Sequence, residues 1–349
     1  MRTLDDRKAE ILKAIVRGYV RDGEPVGSKR IVSEADLGVS AATVRSDMAS
    51  LEEAGYITQP HTSAGRVPTD KGYRFFVDTF GVTTSLSEEQ KTAVERLLVG
   101  SSDLEELLRR TSTVLSRLTR FAALVVAPRL DRSRLRHIEL VRLGPHSVLA
   151  VLIADTGRVE KRLLDLDATV ADHDVQRARH AVNEAAAGLM LAAAPDVIAG
   201  VAAGAPEELR SLVEAVAGAI RSGLSQPDSG DEVFLGGTAN IAAAGYFDRL
   251  EQVKQVYETL EEQVVVLRML RDTLKSGDPA VRIGTELPLV ELAACSVVAA
   301  SYEAATGSGG SLGVLGPTRM DYPRTVAAVQ AVASSLERAL GELVGDDSA

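Results

Sequence analysis

An α+β chain of several domains is what the sequence predicts, and three observations carry that reading. Its 349 residues suffice for two or three domains of ordinary size. The first 80 residues alternate helix-period apolar positions with turn residues. Residues 121–166 switch to short strand-type runs separated by Gly, Pro, Asp and His, and helical patterning returns after 170.

At the start, residues 5–22 read as an amphipathic helix with Leu4, Ile11, Leu12, Ile15 and Val16 on its apolar face. Gly23-Glu24-Pro25 breaks it, and a short helix spans about Ser28 to Ala35. A turn at Asp36-Leu37-Gly38-Val39 leads to Ser40, a good N-cap for a helix over 41–54 that Gly55 ends. Tyr56 to Pro68 carries β-type residues around a polar tip and predicts a two-stranded wing; another helix starts at Thr69 and runs through Phe80. Helix, helix, turn, helix and wing in about 70 residues is the winged helix-turn-helix plan.

Beyond a connector at 81–102, a helix is predicted at 103–120. Ala122–Ala127, Ile138–Leu143, Val148–Ile153 and Val159–Leu166 predict an antiparallel meander. Residues 170–225 are helical and alanine-rich. One helix over about 248–275 follows from the stripe Leu250, Val253, Tyr257, Leu260, Val264, Leu267 and Leu274. Strands at Val281–Ile283, Ala293–Tyr302 and Ser311–Leu315 precede a last helix lined by Val326, Val329, Val332, Leu336, Leu340 and Leu343.

Composition narrows the function. Hydrophobic residues make up 45% and aromatics 4%, with no tryptophan, so Ala, Val and Leu build the core. The single cysteine, Cys295, excludes an internal disulfide and lies in an apolar run, as a buried structural thiol would. The charged start lacks an apolar leader and no apolar run reaches 18 residues, so a soluble cytoplasmic protein off the membrane is expected. Net charge is −10, but residues 1–75 balance at +1 and the remainder carries −11, which confines any DNA to the N-terminal region.

Enzyme chemistry finds little support. His61, His137, His146, His173 and His180 form no pair at metal-ligand spacing, so neither metal nor cofactor is expected. There is no Gly-x-Ser-x-Gly elbow and no phosphate-binding loop. The glycine-rich Gly307–Gly313 lacks a nucleotide-site context and reads as a loop between strands.

The N-terminal residues offer more. In the third helix Val44, Met48 and Leu51 point inward, leaving Ala42, Thr43, Arg45 and Ser46 for base edges and phosphates after Ser40. Ser28, Lys29 and Arg30 at the second helix start can hold a phosphate, or form a solvated cap. His61, Thr62, Ser63 and Arg66 form the wing tip, where Arg66 can enter a minor groove. For Arg45 the rival reading is a surface ion pair with Asp47 or Glu52.

These residues resemble the heat-inducible transcription repressor HrcA family. The matching stretches are Glu24–Ser28, Leu37–Arg45, Gln59–Thr69, Lys71–Arg74, Leu235–Asn240 and Gly316–Pro323. Ser46 and Leu287 stand where the family usually has Asn. The resemblance implies a winged helix at 1–80, a linker at 81–102, a GAF-like antiparallel-sheet domain at 103–168 and 241–349, and an inserted dimerisation domain at 169–240. It further implies a homodimer on the CIRCE inverted-repeat operator that represses chaperone genes, with a GroEL-type chaperonin maintaining the active form. A small-molecule effector on the GAF-like domain is the alternative reading.

Overall fold

The computed structural model describes residues 4–35, 37–61, 64–80, 85–225, 232–242, 247, 249–303, 307 and 309–345. The N-terminal elements are α1 (Asp6–Asp22), α2 (Ser28–Glu34), α3 (Ala41–Glu53), the strands β1 (Ile57–Thr58) and β2 (Val67–Pro68), and α4 (Asp70–Phe80). Asp5 caps α1 by accepting the Lys8 N–H at 2.9 Å, and Gly23 ends it with φ 74°. Ile11, Leu12, Ile15, Ile31, Val44, Met48, Leu51, Tyr73 and Phe76 close one apolar core around these helices. Burial of each such side chain contributes about 1.5–3 kcal/mol.

The stretch expected as a linker is docked instead. Helix α5 (Glu88–Leu98), opened by a Ser87–Gln90 capping box, buries Val94 and Leu98 against α6 (Leu104–Thr119) and the last helix, α12 (Tyr322–Gly345).

Five antiparallel strands form the central sheet. In chain order they are β3 (Ala122–Val126), β7 (Val233–Gly236), β8 (Ala280–Ile283), β9 (Cys295–Glu303) and β10 (Gly309–Pro317); in space the order is β7-β3-β10-β9-β8. Both faces are covered. Ala123, Val125, Val298, Ala300, Leu312 and Val314 face α6 and α12, continuous with the N-terminal core. Ala122, Leu124, Val297, Ala299 and Leu315 face α10 (Leu250–Glu261) and α11 (Gln263–Leu274).

A second, three-stranded sheet is made by β4 (Leu135–Arg142), β5 (Ser147–Ala154) and β6 (Val159–Asp165). Its inner face packs on α7 (Asp172–Ala186), α8 (Ala194–Gly204) and α9 (Glu207–Ser225), giving a separate core from Leu130 to Ile220.

Three expectations change here. Ala122–Val126 does not join the meander; it pairs with β10 and β7, because a strand buried at every position needs layers on both faces. The edges expected at 169 and 240 do not coincide with the packed cores: β4–β6 belong with α7–α9, whereas Val233–Gly236 belongs to the central sheet. The helix expected over 248–275 is two, interrupted at Glu262 (φ −86°, ψ 86°), and Leu250 and Val264 of its stripe are exposed. Gly307 lies between β9 and β10, but Gly309–Gly313, expected as part of that loop, are paired strand residues of β10. No helix among the described residues is long and apolar enough to cross a membrane.

Candidate nucleic-acid interface

Helix α3 is held by its buried side and leaves the other side open. Val44, Met48 and Leu51 are in the core, while Ala42, Arg45 and Ser46 are exposed and Thr43 is half-buried. Ser40 caps the helix by accepting the Thr43 N–H at 3.2 Å, and the two hydroxyls lie 3.1 Å apart.

Charge pairing around Arg45 is decisive. Asp47 is buried and accepts from Arg7 of α1, Nε at 2.7 Å and Nη2 at 3.3 Å. Glu52 accepts from Arg66 at 2.9 Å. Both acids that could have neutralised Arg45 are therefore taken, and Arg45 makes no ion pair among the described residues.

The hairpin is fixed to the start of α2. Val26 and Arg66 exchange backbone hydrogen bonds, each 2.9 Å, and Gln59 Nε2 donates to the Ala64 carbonyl at 3.0 Å across the tip. A Cβ on Gly65 would come within 2.5 Å of the Val26 backbone, so only glycine permits this approach.

The expected site residues do not all reach one surface. Lys29, Ser40, Ala42, Arg45, Ser46 and His61 are exposed. Ser28 is mostly buried, at 9% exposure, and Gly27 is the N-cap of α2, with no side-chain cap bond. Arg30 is engaged by Asp22 and by Glu34, the latter at 2.9 Å, and Arg21 reaches Glu34 at 2.8 Å. Arg30 and Arg21 hold the Glu34 carboxyl below the usual carboxylate range. Arg66 is paired to Glu52 rather than extended from the tip. Thr62 and Ser63 lie outside the described residues. Sequence spacing missed Arg7 and Asp47, which lock α3 onto α1 from 40 positions apart. Among the described residues no three His, Cys, Asp or Glu side chains converge as a metal site requires.

Comparison with known proteins identifies the family. Residues 105–326 match the model described as HrcA protein C terminal domain. The heat-inducible transcription repressor HrcA of Frankia casuarinae is 45% identical over 344 residues, spanning 99% of this chain and all of that protein. This chain belongs to the HrcA family. The HrcA of Thermobifida fusca is 48% identical over 330 residues, 95% of each chain, and that of Acidothermus cellulolyticus 46% over 339. The protein is accordingly a DNA-binding negative regulator of heat-shock gene transcription, not an enzyme. A crystal structure of a hypothetical protein, 22% identical, shares the fold with a TM-score of 0.66, covering 98% of this chain and 100% of that one.

Leu287 is buried at 6% among the residues beneath α10 and α11. Its neighbour Glu286 carries the polar contact of that turn, accepting from the Ile283 N–H at 2.9 Å.

Proposed function

We propose that residues 4–80 act as a winged helix-turn-helix, with α3 in the major groove and the β1–β2 hairpin along the flanking backbone. The observation that carries this is Arg45: exposed on α3, beside small exposed residues, with both neighbouring acids already paired. A guanidinium left in that state supplies a bidentate donor for guanine or phosphate. Lys29 and Ser40 lie on neighbouring segments as backbone contacts, and Arg66 joins them once it leaves Glu52.

The operator is an inverted repeat of the CIRCE type, read by a homodimer whose two-fold axis matches the repeat. The central sheet with helices on both faces serves as the GAF-like body, and residues 130–225 as the inserted dimerising unit. Support for the dimer comes from the outer face of the second sheet. Val141, Leu149 and Leu163 pair across its three strands, and Val141 and Leu163 are 43% and 58% exposed. An apolar row left open on a sheet is a natural surface for a second copy. A GroEL-type chaperonin raises the folded, DNA-binding population, and heat lifts repression by diverting it or by unfolding the repressor.

The test is binding of the full chain to an inverted-repeat duplex and a scrambled duplex across salt. Salt-sensitive preference for the repeat, increased by chaperonin, supports the reading. Equal weak binding to both duplexes sinks it.

A further inference from the structure

A cleft of about 540 Å³ opens where the N-terminal helices meet the central-sheet unit. The end of α1 supplies Arg21, the α6–β3 junction supplies Leu118 and Arg120, and the β10–α12 turn supplies Arg319, Asp321 and Arg324. Four arginines against one aspartate line a cleft in a chain whose net charge is −10. That volume lies inside the roughly 300–1,000 Å³ of small-ligand sites.

Pairing separates these arginines. Arg21 is committed to Asp22 and Glu34. Arg120 and Arg324 make no ion pair among the described residues, although many arginines of this chain do. Arg120 also has a backbone φ of 60°, and no other residue except glycine has a positive φ among those described. Glycine is the natural occupant of such a helix end, so an arginine there places a guanidinium at the cleft against the local backbone preference. Asp321 is the opposing charge, and its carboxylate is occupied as the cap of α12, accepting the Arg324 N–H at 3.3 Å. Arg319 spans both walls. Its guanidinium lies over the Tyr19 ring at 5.9 Å and so close to Gly23 that a Cβ there would sit 2.1 Å from Nη1.

We propose that this cleft binds a compact multiply charged anion of the oligophosphate class, held by Arg120, Arg319 and Arg324. The guanidinium fork matches phosphate geometry, and partial enclosure between two units keeps water from screening it. Because Arg319 touches α1, an occupied cleft ties the N-terminal unit to the sheet unit and changes how the two dimer arms present α3. The binding stands on the cleft alone; its effect on DNA rests on the winged-helix reading above.

The probe is inorganic pyrophosphate, titrated calorimetrically into the full chain, with sodium chloride at matched ionic strength as control. Saturable binding is expected, weakened about tenfold or more by Arg324→Gln and by Arg120→Gly. Arg120→Gly suits the positive φ, so its fold is retained and its loss of binding reports the guanidinium. Arg177→Gln, on α7 of the three-stranded unit, serves as the remote control and leaves pyrophosphate binding unchanged. No saturable binding at millimolar pyrophosphate, or equal binding by the variants, overturns the proposal. So does a loss of operator affinity in Arg120→Gly and Arg324→Gln without pyrophosphate binding, which makes the cleft a contact for the DNA backbone. Operator affinity that pyrophosphate leaves unmoved overturns the coupling to DNA, while a failure of Arg45→Ala to weaken operator binding counts against the winged-helix reading alone.

Discussion

Arg74 of α4 grips Glu286 of the turn after β8 with both arms of its guanidinium, 212 positions away in sequence. Nε donates to Oε1 at 2.8 Å, Nη2 to Oε2, and Nη2 also to the Val281 carbonyl at 2.6 Å. Asp70, one turn earlier on α4, accepts from the Thr285 N–H and hydroxyl, each at 2.9 Å. Tyr73 between them lies against Tyr322 with ring centroids 5.6 Å apart. One face of α4 is thus the joint between the N-terminal helices and the body.

Removing Arg74 leaves half-buried Glu286 without a counter-ion, and removing Glu286 leaves Arg74 with only Asp78, at 3.3 Å. Arg74→Met and Glu286→Gln should each lower stability by about 1–3 kcal/mol, less than for a fully buried pair because both side chains keep some solvent. The double variant should lose less than the sum, with a coupling of about 1 kcal/mol or more in urea unfolding. Strict additivity would mean that the two groups do not act as a pair.

Arg45→Ala should weaken operator binding by about 1–3 kcal/mol and leave the unfolding midpoint unchanged, since Arg45 touches neither the core nor an acid. Fluorescence anisotropy on the inverted repeat reads the first and thermal unfolding the second. Unaltered affinity removes Arg45 from the contacts.

In the proposed complex Glu52 competes with DNA for Arg66. Glu52→Gln frees that guanidinium and removes a negative charge from the candidate interface. Affinity should rise several-fold at low salt, and the slope of log affinity against log salt should steepen by about one. A flat response would show that Arg66 serves only to brace the hairpin.

How much of this was legible in the sequence differs by region. The inward face of α3 follows from spacing, because Val44, Met48 and Leu51 repeat at helical intervals and the core takes them. The strand Ala122–Val126 carried a readable signal that proximity in sequence obscured: all five residues are apolar and all five are buried, whereas Ser147–Ala154 buries every second residue. Uniform apolarity marks a strand covered on both sides, and alternation marks a sheet with one open face. The break at Glu262 has no such signal, since the apolar stripe runs through it. Pairings such as Arg7 with Asp47 and Arg66 with Glu52 depend on which helices meet, and no local spacing encodes them.

The open row Val141–Leu149–Leu163 gives a test of the dimer. Leu163→Asp adds a charge to that row while leaving the inner face untouched, as Leu164 is the neighbour that packs inward. Sedimentation should show monomer, and operator affinity should fall together with dimerisation, because one arm alone reads one half-site. A dimer that survives Leu163→Asp places the interface elsewhere.

Cys295 offers a probe of thermal opening of the central sheet. It starts β9 beneath α10, fully buried, and burial pushes its thiol up to about 12. The thiolate is the reactive form, so the native thiol should alkylate roughly a thousandfold more slowly than in the unfolded chain near pH 8. The sign for stability follows. With the folded value above the unfolded one, the contribution is fully present below the ordinary thiol range and is lost as pH rises from there towards 12. Burial raises Tyr302 and Tyr322 in the same direction, so alkaline unfolding should steepen across that window. With iodoacetamide at pH 8 and rising temperature, a sharp onset of Cys295 labelling that coincides with loss of operator binding would tie derepression to opening of the central sheet. Loss of binding with Cys295 still protected would place the thermal switch outside that core, at the α4 joint or in the dimer.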